Sequence, residues 1–230
     1  MKVWVLIKHP GGPNYLYVPK IYKILTFQYI PEHQLSSLTE PSTNKYSENS
    51  NSLSILLCAI GDPHNLGAIL RSAYFLGVDN IFTTSCEFKN TNGDSFVKSN
   101  APLTPVVSKA SSGVLEIFQP LHVNDPKHFI EIKKSEGYTI IGSGLENNGN
   151  TETEQKSAEN ITDGKRAESG RARLLLIGNE GFGIPANLSI LCDTWIHLKP
   201  GRQLDTDVDS LNVSVATALI INSIITPKGK

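Results

Sequence analysis

From Leu53 onward, short apolar runs alternate with segments whose apolar residues recur at helical spacing, and this alternation constrains the fold more than any other feature. "LSILLCAI" (53–60) is a short run apolar but for Ser54, the pattern of a strand buried on both faces. "NLGAILRSAYFLG" (65–77) then repeats apolar side chains at Leu66, Ile69, Leu70, Ala73 and Leu76, which predicts a helix stopped by Gly77. "VDNIFTT" returns to strand. Further on, "SKASSGVLEIF" and "DPKHFIEIKKSEG" read as helices, "YTIIGSG", "RLLLIG" and "TWIHL" as strands, "IPANLSILC" as a short helix and "SLNVSVATALIINSII" as a final one. Strands apolar on both faces need cover on each, so the expected fold is α/β, a parallel sheet with helices on both faces.

Two stretches break the pattern. Residues 1–50 mix apolar pieces, "KVWVLI" and "IYKILTFQYI", with "HPGGPN" and the polar run "SSLTEPSTNKYSENSNS". They read as two short strands or a partial helix followed by a linker, the edge or remnant of something larger, ahead of one domain over 51–230. Residues 147–172 are polar, mixed in charge and free of aromatics. They cannot bury enough apolar surface to offset ordering entropy, so a disordered surface insertion is expected there.

Composition excludes little and narrows something. A net charge of −1 leaves no global basic signature, so a nucleic acid would have to be held by a local patch. Cys58, Cys86 and Cys192 are far apart and form no C-x-x-C pair, which suggests neither a zinc site nor a disulfide framework. They fit small core residues in a reducing compartment, and no metal is expected. No apolar run approaches the ~18 residues of a membrane span, and the N-terminus carries no readable address.

Three stretches put polar residues directly after a strand, where open α/β sheets build their sites. In "GDPHNLGAILR", Asp62 or Asn65 can cap the helix and Arg71 lies two turns along it. In "LIGNEGFGIP" the glycines fall at Gly178, Gly181 and Gly183. That order fails both the dinucleotide fingerprint and the P-loop, and leaves a tight turn with Glu180 at its rim and Pro185 placed to begin a helix. In "DSLNVSVATALIINS", Asp209 or Ser210 is a natural cap, with Ser210, Asn212 and Ser214 at the entry to an apolar helix. Taken singly, each also reads as ordinary capping or a solvated turn.

Taken in series, "N-x-G-x-x-x-R" (65–71), "GNEGFGI" (178–184) and "SLNVSVA" (210–216) resemble the three signature motifs of the SpoU/TrmH family of RNA ribose 2′-O-methyltransferases, over about residues 53–226. "SKASSGVLEIF" is most similar to the mitochondrial large-subunit ribosomal RNA branch, which modifies a guanosine ribose. The resemblance implies a C-terminal deep trefoil knot that holds S-adenosylmethionine folded, with Gly178, Gly183, Leu198 and Leu211 at the cofactor and Gly142 and Ser143 of "GSGLE" forming another wall. It implies Arg71 as the catalytic residue, with Asn65, Glu180, Ser210 and Asn212 orienting ribose, arginine and loops. A guanidinium stays protonated, so Arg71 is expected to position phosphate and hydroxyl electrostatically. The resemblance further implies a homodimer, an RNA partner and a mitochondrial location. Lys89, Lys98 and Lys109 are candidates to line an RNA path. A transfer-RNA ribose methyltransferase and a catalytically weak RNA-binding or ribosome-assembly factor with the same fold are the alternatives.

Overall fold

In a computed structural model, residues 52–144, 171–202 and 210–226 are described in full, together with the backbone of three further strands at 4–8, 15–19 and 158–160. The strands are β1 (Trp4–Lys8), β2 (Tyr15–Pro19), β3 (Leu53–Cys58), β4 (Asn80–Thr84), β5 (Cys86–Lys89), β6 (Ser95–Lys98), β7 (Leu121–Val123), β8 (Thr139–Gly144), β9 (Ala158–Asn160), β10 (Arg173–Ile177) and β11 (Thr194–His197). The helices are α1 (Pro63–Leu76), α2 (Pro105–Ala110), α3 (Pro126–Ser135), α4 (Ala186–Ser189) and α5 (Val213–Ile225), with a 3-10 turn at Val114–Glu116.

Seven strands form one sheet in the order β7-β4-β3-β10-β8-β11-β9, and every pairing within it is parallel. The period of two along the strands divides their apolar side chains between two cores. Leu53, Ile55, Leu57, Leu175 and Ile177 pack with α1 and α5 residues such as Ile69 and Ile220 on one face. Leu56, Cys58, Leu174 and Leu176 pack with Phe129 and Ile130 of α3 and Leu188 of α4 on the other. The α/β arrangement with helices on both faces is therefore as the alternation predicts.

β10 is inserted between β3 and β8, although it follows both in sequence. Leu57 of β3 and Ile177 of β10 are register partners, so the loops that leave the C-terminal ends of these neighbours emerge side by side. Those loops carry "GDPHN" and "GNEGFGIP". Helix α5 then packs on α1, which brings the start of "SLNVSVA" to the same end of the sheet. At Gly67 the approach of α1 to α2 is so close that a Cβ would lie 2.5 Å from that of Ala110.

Several local expectations are corrected. The run 108–118 is not one helix: α2 stops at Ala110, and Ser112 (φ 55°) and Gly113 (φ 85°) take left-handed backbone before the 3-10 turn, which breaks the hydrogen-bond ladder. "CEFKNTNGDSFVKSN", between the strand at "VDNIFTT" and the run 108–118, forms the β5–β6 hairpin, with Phe88 opposite Phe96. "LHV" adds the edge strand β7. Within 147–172, read as disordered throughout, 158–160 form β9 on the edge of β11; 147–157 and 161–170 lie outside the described residues. β1 falls on "KVWVLI" and pairs antiparallel with β2 at 15–19, while "IYKILTFQYI" lies outside the described residues. None of the described helices is long and apolar enough to cross a membrane.

Candidate functional site

The segment after β3 leaves the sheet through Ala59, whose φ of 59° is rare for a side chain with a Cβ. Its neighbours hold it there. The Ala59 N–H donates to the Thr84 carbonyl at 3.1 Å, and the Ala59 carbonyl accepts from Asn179 Nδ2 at 2.7 Å. Asn100 braces the same segment: its Oδ1 accepts from the Ile60 N–H at 2.8 Å, and its Nδ2 donates to the carbonyls of Leu57 and Thr84. Of the two expected caps of α1, Asp62 does the work, accepting from the His64 N–H at 2.8 Å. Asn65 is thereby released to face outward from the first turn.

The loop after β10 closes on itself. Asn179 and Gly183 exchange both backbone hydrogen bonds at 2.9 Å, while Asn179 Oδ1 accepts from the Gly181 and Phe182 N–H groups. A Cβ on Gly178 would fall onto the Gly183 carbonyl carbon and lie 2.5 Å from the Ile184 nitrogen, so the loop itself requires glycine there. Asn179, which sequence reasoning did not single out, is 93% buried and joins this loop to Ala59. Only the fold reveals that partner, which lies 120 residues away.

Glu180 is held at the N-terminus of α1. Its Oε2 accepts from the Gly61 N–H at 3.3 Å and from Asn179 Nδ2 at 3.2 Å; its Oε1 accepts from the Asp62 N–H at 3.4 Å and from Asn65 Nδ2 at 3.2 Å. The orphan amides and the positive end of the helix dipole both favour an anion there. Asn65 Oδ1 in turn accepts from Asn212 Nδ2 at 3.0 Å, and Asn212 Oδ1 accepts from the Ser214 N–H and hydroxyl at 2.9 and 2.7 Å. One relay of hydrogen bonds thus joins the three stretches singled out in the sequence. Asn212, not Asp209 or Ser210, caps α5, because its Oδ1 reaches the Ser214 amide.

The relay borders two openings. A cavity of about 670 Å³ is lined by Asp62, Asn65, Lys98, Asn179 and Glu180, among others. A larger one of about 1880 Å³ runs from the Gly178–Ile184 loop past Ser143, Trp195 and Leu198 to Leu211 and Ile220. Of the expected site residues, Asn65, Gly178, Glu180, Gly183, Leu198, Ser210, Leu211 and Asn212 all line this larger cavity, as does Ser143, whose hydroxyl donates to the Leu176 carbonyl. Gly142 does not: it sits under Trp195, whose ring would lie 2.9 Å from a Cβ at that position. Arg71 does not either. It is exposed on α1, lines neither cavity and makes no hydrogen bond or ion pair among the described residues. The stacked rings of Trp195 and His197, with His197 Nδ1 3.1 Å from the Gly144 carbonyl, form a wall that the sequence did not signal. Burial pushes the Cys192 thiol beside this wall up to about 12, so it stays protonated and apolar in character. Among the described residues no three His, Cys, Asp or Glu side chains gather as a metal site would require.

The chain is similar to known proteins. The human rRNA methyltransferase 1, mitochondrial, is 35% identical over 178 residues, which cover 77% of this chain and 46% of that protein. The protein of the same name from Saccharomyces cerevisiae is 37% identical over 207 residues, covering 85% of this chain and 45% of that one. The chain therefore spans about half the length of these relatives. The AdoMet-bound rRNA methyltransferase from Sinorhizobium meliloti shares the fold, with a TM-score of 0.61 at 19% identity over 86% of this chain and 60% of that one. Residues 52–222, which contain the sheet, the relay and both cavities, match the SpoU rRNA Methylase family, and the chain belongs to that family.

Proposed function

We propose that this chain transfers a methyl group from S-adenosylmethionine to a ribose 2′-hydroxyl of RNA, its substrate being a guanosine of mitochondrial large-subunit ribosomal RNA. The observation that carries the proposal is the relay Glu180–Asn65–Asn212, which links all three motif regions on the rim of one cavity. That cavity suits the cofactor. Apolar Leu198, Leu211 and Ile220 offer faces for an adenine, the loop around Gly178 and Gly183 and the Ser143 strand offer polar edges, and Glu180 sets a carboxylate on the rim, a local charge suited to a sulfonium. Bound there, S-adenosylmethionine supplies an activated methyl group.

The chain's residues then have positioning work. The Asn212–Asn65 pair presents amide groups at the mouth, fixed by Ser214 at one end and Glu180 at the other, to orient the ribose. Ser210 adds a hydroxyl to the same lining. The Arg71 guanidinium holds phosphate and 2′-hydroxyl by charge. Its absence from the lining of either cavity of its own chain supports action in the site of a second copy. α1 and α5, which pack together, leave Phe75 86% exposed and Val215 and Leu219 about half exposed, apolar surface suited to a homodimer. The insertion of β10 between β3 and β8, with α5 returning onto α1, supports a trefoil knot over the C-terminal part. Residues 51–230 are proposed as the catalytic domain, residues 1–50 as an appendage from an RNA-binding region, and the relatives' names support a mitochondrial location.

The test is incorporation of tritiated methyl groups into ribosomal and transfer RNA, read after alkaline hydrolysis. A methylated 2′-oxygen cannot attack its phosphodiester, so label in alkali-resistant dinucleotides from ribosomal RNA is the expected result. Label in transfer RNA alone would favour the alternative substrate; none in either, with RNA still bound, would favour the assembly factor. Arg71→Ala should abolish turnover at saturating RNA and cofactor, and normal turnover would overturn its assignment.

A further inference from the structure

Phe182 stands in the tight loop after β10 with 46% of its surface exposed, although Asn179 and the glycines close that loop without any need for an aromatic side chain. Its ring is not loose. It packs on Phe88 (centroids 5.2 Å apart, rings inclined by 40°) and edge-on to Phe96 (5.3 Å, 69°), register partners from the two strands of the β5–β6 hairpin. Lys98 of β6 holds its ammonium 4.4 Å from the Phe182 centroid. Phe182 lines the larger cavity and Lys98 the smaller, where Asn65 and Glu180 meet.

We propose that Phe182 and Lys98 form a platform for the RNA nucleotide adjoining the methylated one: Lys98 takes its phosphate, and the Phe182 ring takes its base. The identity of the occupant rests on the RNA methyltransferase reading above. Phe88 and Phe96 fix the ring before RNA arrives, so stacking costs little side-chain entropy. Lys98 has no carboxylate partner among the described residues, and an exposed cation–π contact holds it only weakly. A phosphodiester draws the ammonium away and uncovers the ring face in the same movement. A base locked in a duplex cannot reach such a ring, so the platform takes single-stranded or splayed RNA.

The experiment measures binding of the full chain to fluorescein-labelled single-stranded oligoadenylate and to an abasic ribose-phosphate strand of equal length, over a range of salt. Phe182→Leu keeps the apolar contact with Phe88 and Phe96 while removing the π face. It should weaken oligoadenylate binding about 5- to 150-fold and leave the abasic strand unchanged, as should Phe182→Ala. Lys98→Met should weaken both strands and lower the slope of log affinity against log salt by about 0.7. Unchanged unfolding midpoints exclude damage to the fold. Wild-type affinity for oligoadenylate in Phe182→Leu, or an unaltered slope in Lys98→Met, overturns the platform, as does failure of the wild type to bind either strand. If the wild type transfers no methyl group but these binding differences appear, the enzymatic reading fails and the platform stands.

Discussion

Replacing Glu180 by Gln tests the relay most sharply, because the relay has a fixed polarity. The Ser214 backbone N–H can only donate, which forces Asn212 to present Oδ1 to it and Nδ2 to Asn65. Asn65 must then present Oδ1 to Asn212 and Nδ2 to Glu180. At the far end, the two carboxylate oxygens each accept from a different backbone amide, Gly61 and Asp62, and neither amide can flip. A Gln side chain has one acceptor and one donor, so in either orientation its NH2 group confronts a backbone N–H and one further amide donor. The change thus removes a charge at a helix N-terminus, worth about 0.3–1 kcal/mol, and at least one charge-assisted hydrogen bond, worth about 1.5–3 kcal/mol when well made. The bonds here are 3.2–3.4 Å long and water can reach the displaced donors, so a net loss of about 1–2 kcal/mol of folding stability is expected. If the same misfit is carried into the transition state through Asn65, methyl transfer falls about tenfold for each 1.4 kcal/mol. Urea unfolding and steady-state kinetics on Glu180→Gln and Glu180→Ala measure the two effects. Glu180→Ala lets water satisfy the donors, so it should be no more destabilising than Glu180→Gln. A Gln variant with wild-type stability and turnover would refute the reasoning.

Gly178→Ala should cost about 1–3 kcal/mol and weaken S-adenosylmethionine binding in calorimetry, because the new Cβ meets loop backbone rather than a movable side chain. The Lys133 side chain is 98% buried, its ammonium bonded to Glu136 at 2.7 Å and 4.9 Å from the Tyr138 ring centroid. Lys133→Met removes the charge at similar volume and should change stability by less than about 1 kcal/mol, whereas Glu136→Ala strands the cation and should cost about 2–4 kcal/mol in denaturant unfolding. Burial raises the folded Cys192 pKa to about 12, from an ordinary value of 9.0 in the unfolded chain. Above 9.0 the unfolded thiol releases its proton first, so this group's contribution is intact below that pH and declines as pH rises toward 12, by at most about 1.4 kcal/mol per unit. The pH dependence of stability in urea titrations of wild type and Cys192→Ala should therefore differ only on the alkaline side, where the wild type alone loses this contribution.

The sequence made the motif loops legible because each is local chemistry: a cap followed by proline at 62–63, a glycine-dense turn at 178–183, a small polar cap at 212–214. Their destination was legible only through resemblance. The hairpin at 86–98 was hidden because its alternation is short and its turn residues dominate its composition, and the break at 112–113 because "SKASSGVLEIF" keeps helical apolar spacing across two left-handed residues. Trp195 and His197 read only as strand residues, since their role as a wall depends on lying against Gly142 and Gly144 of β8.

By itself, then, the sequence determined the α/β class and the residues able to carry the chemistry, because hydrophobic period and capping are set by neighbours within a few positions. The tertiary structure decided the rest. Inserting β10 beside β3 brings Glu180 to amides 118 and 119 residues away, and the packing of α5 on α1 brings Asn212 to Asn65 across 147. The fold also leaves Arg71 exposed on α1, outside the lining of either cavity of its own chain. Contacts at that separation arise from the order in which strands join a sheet, which no local pattern of side chains encodes.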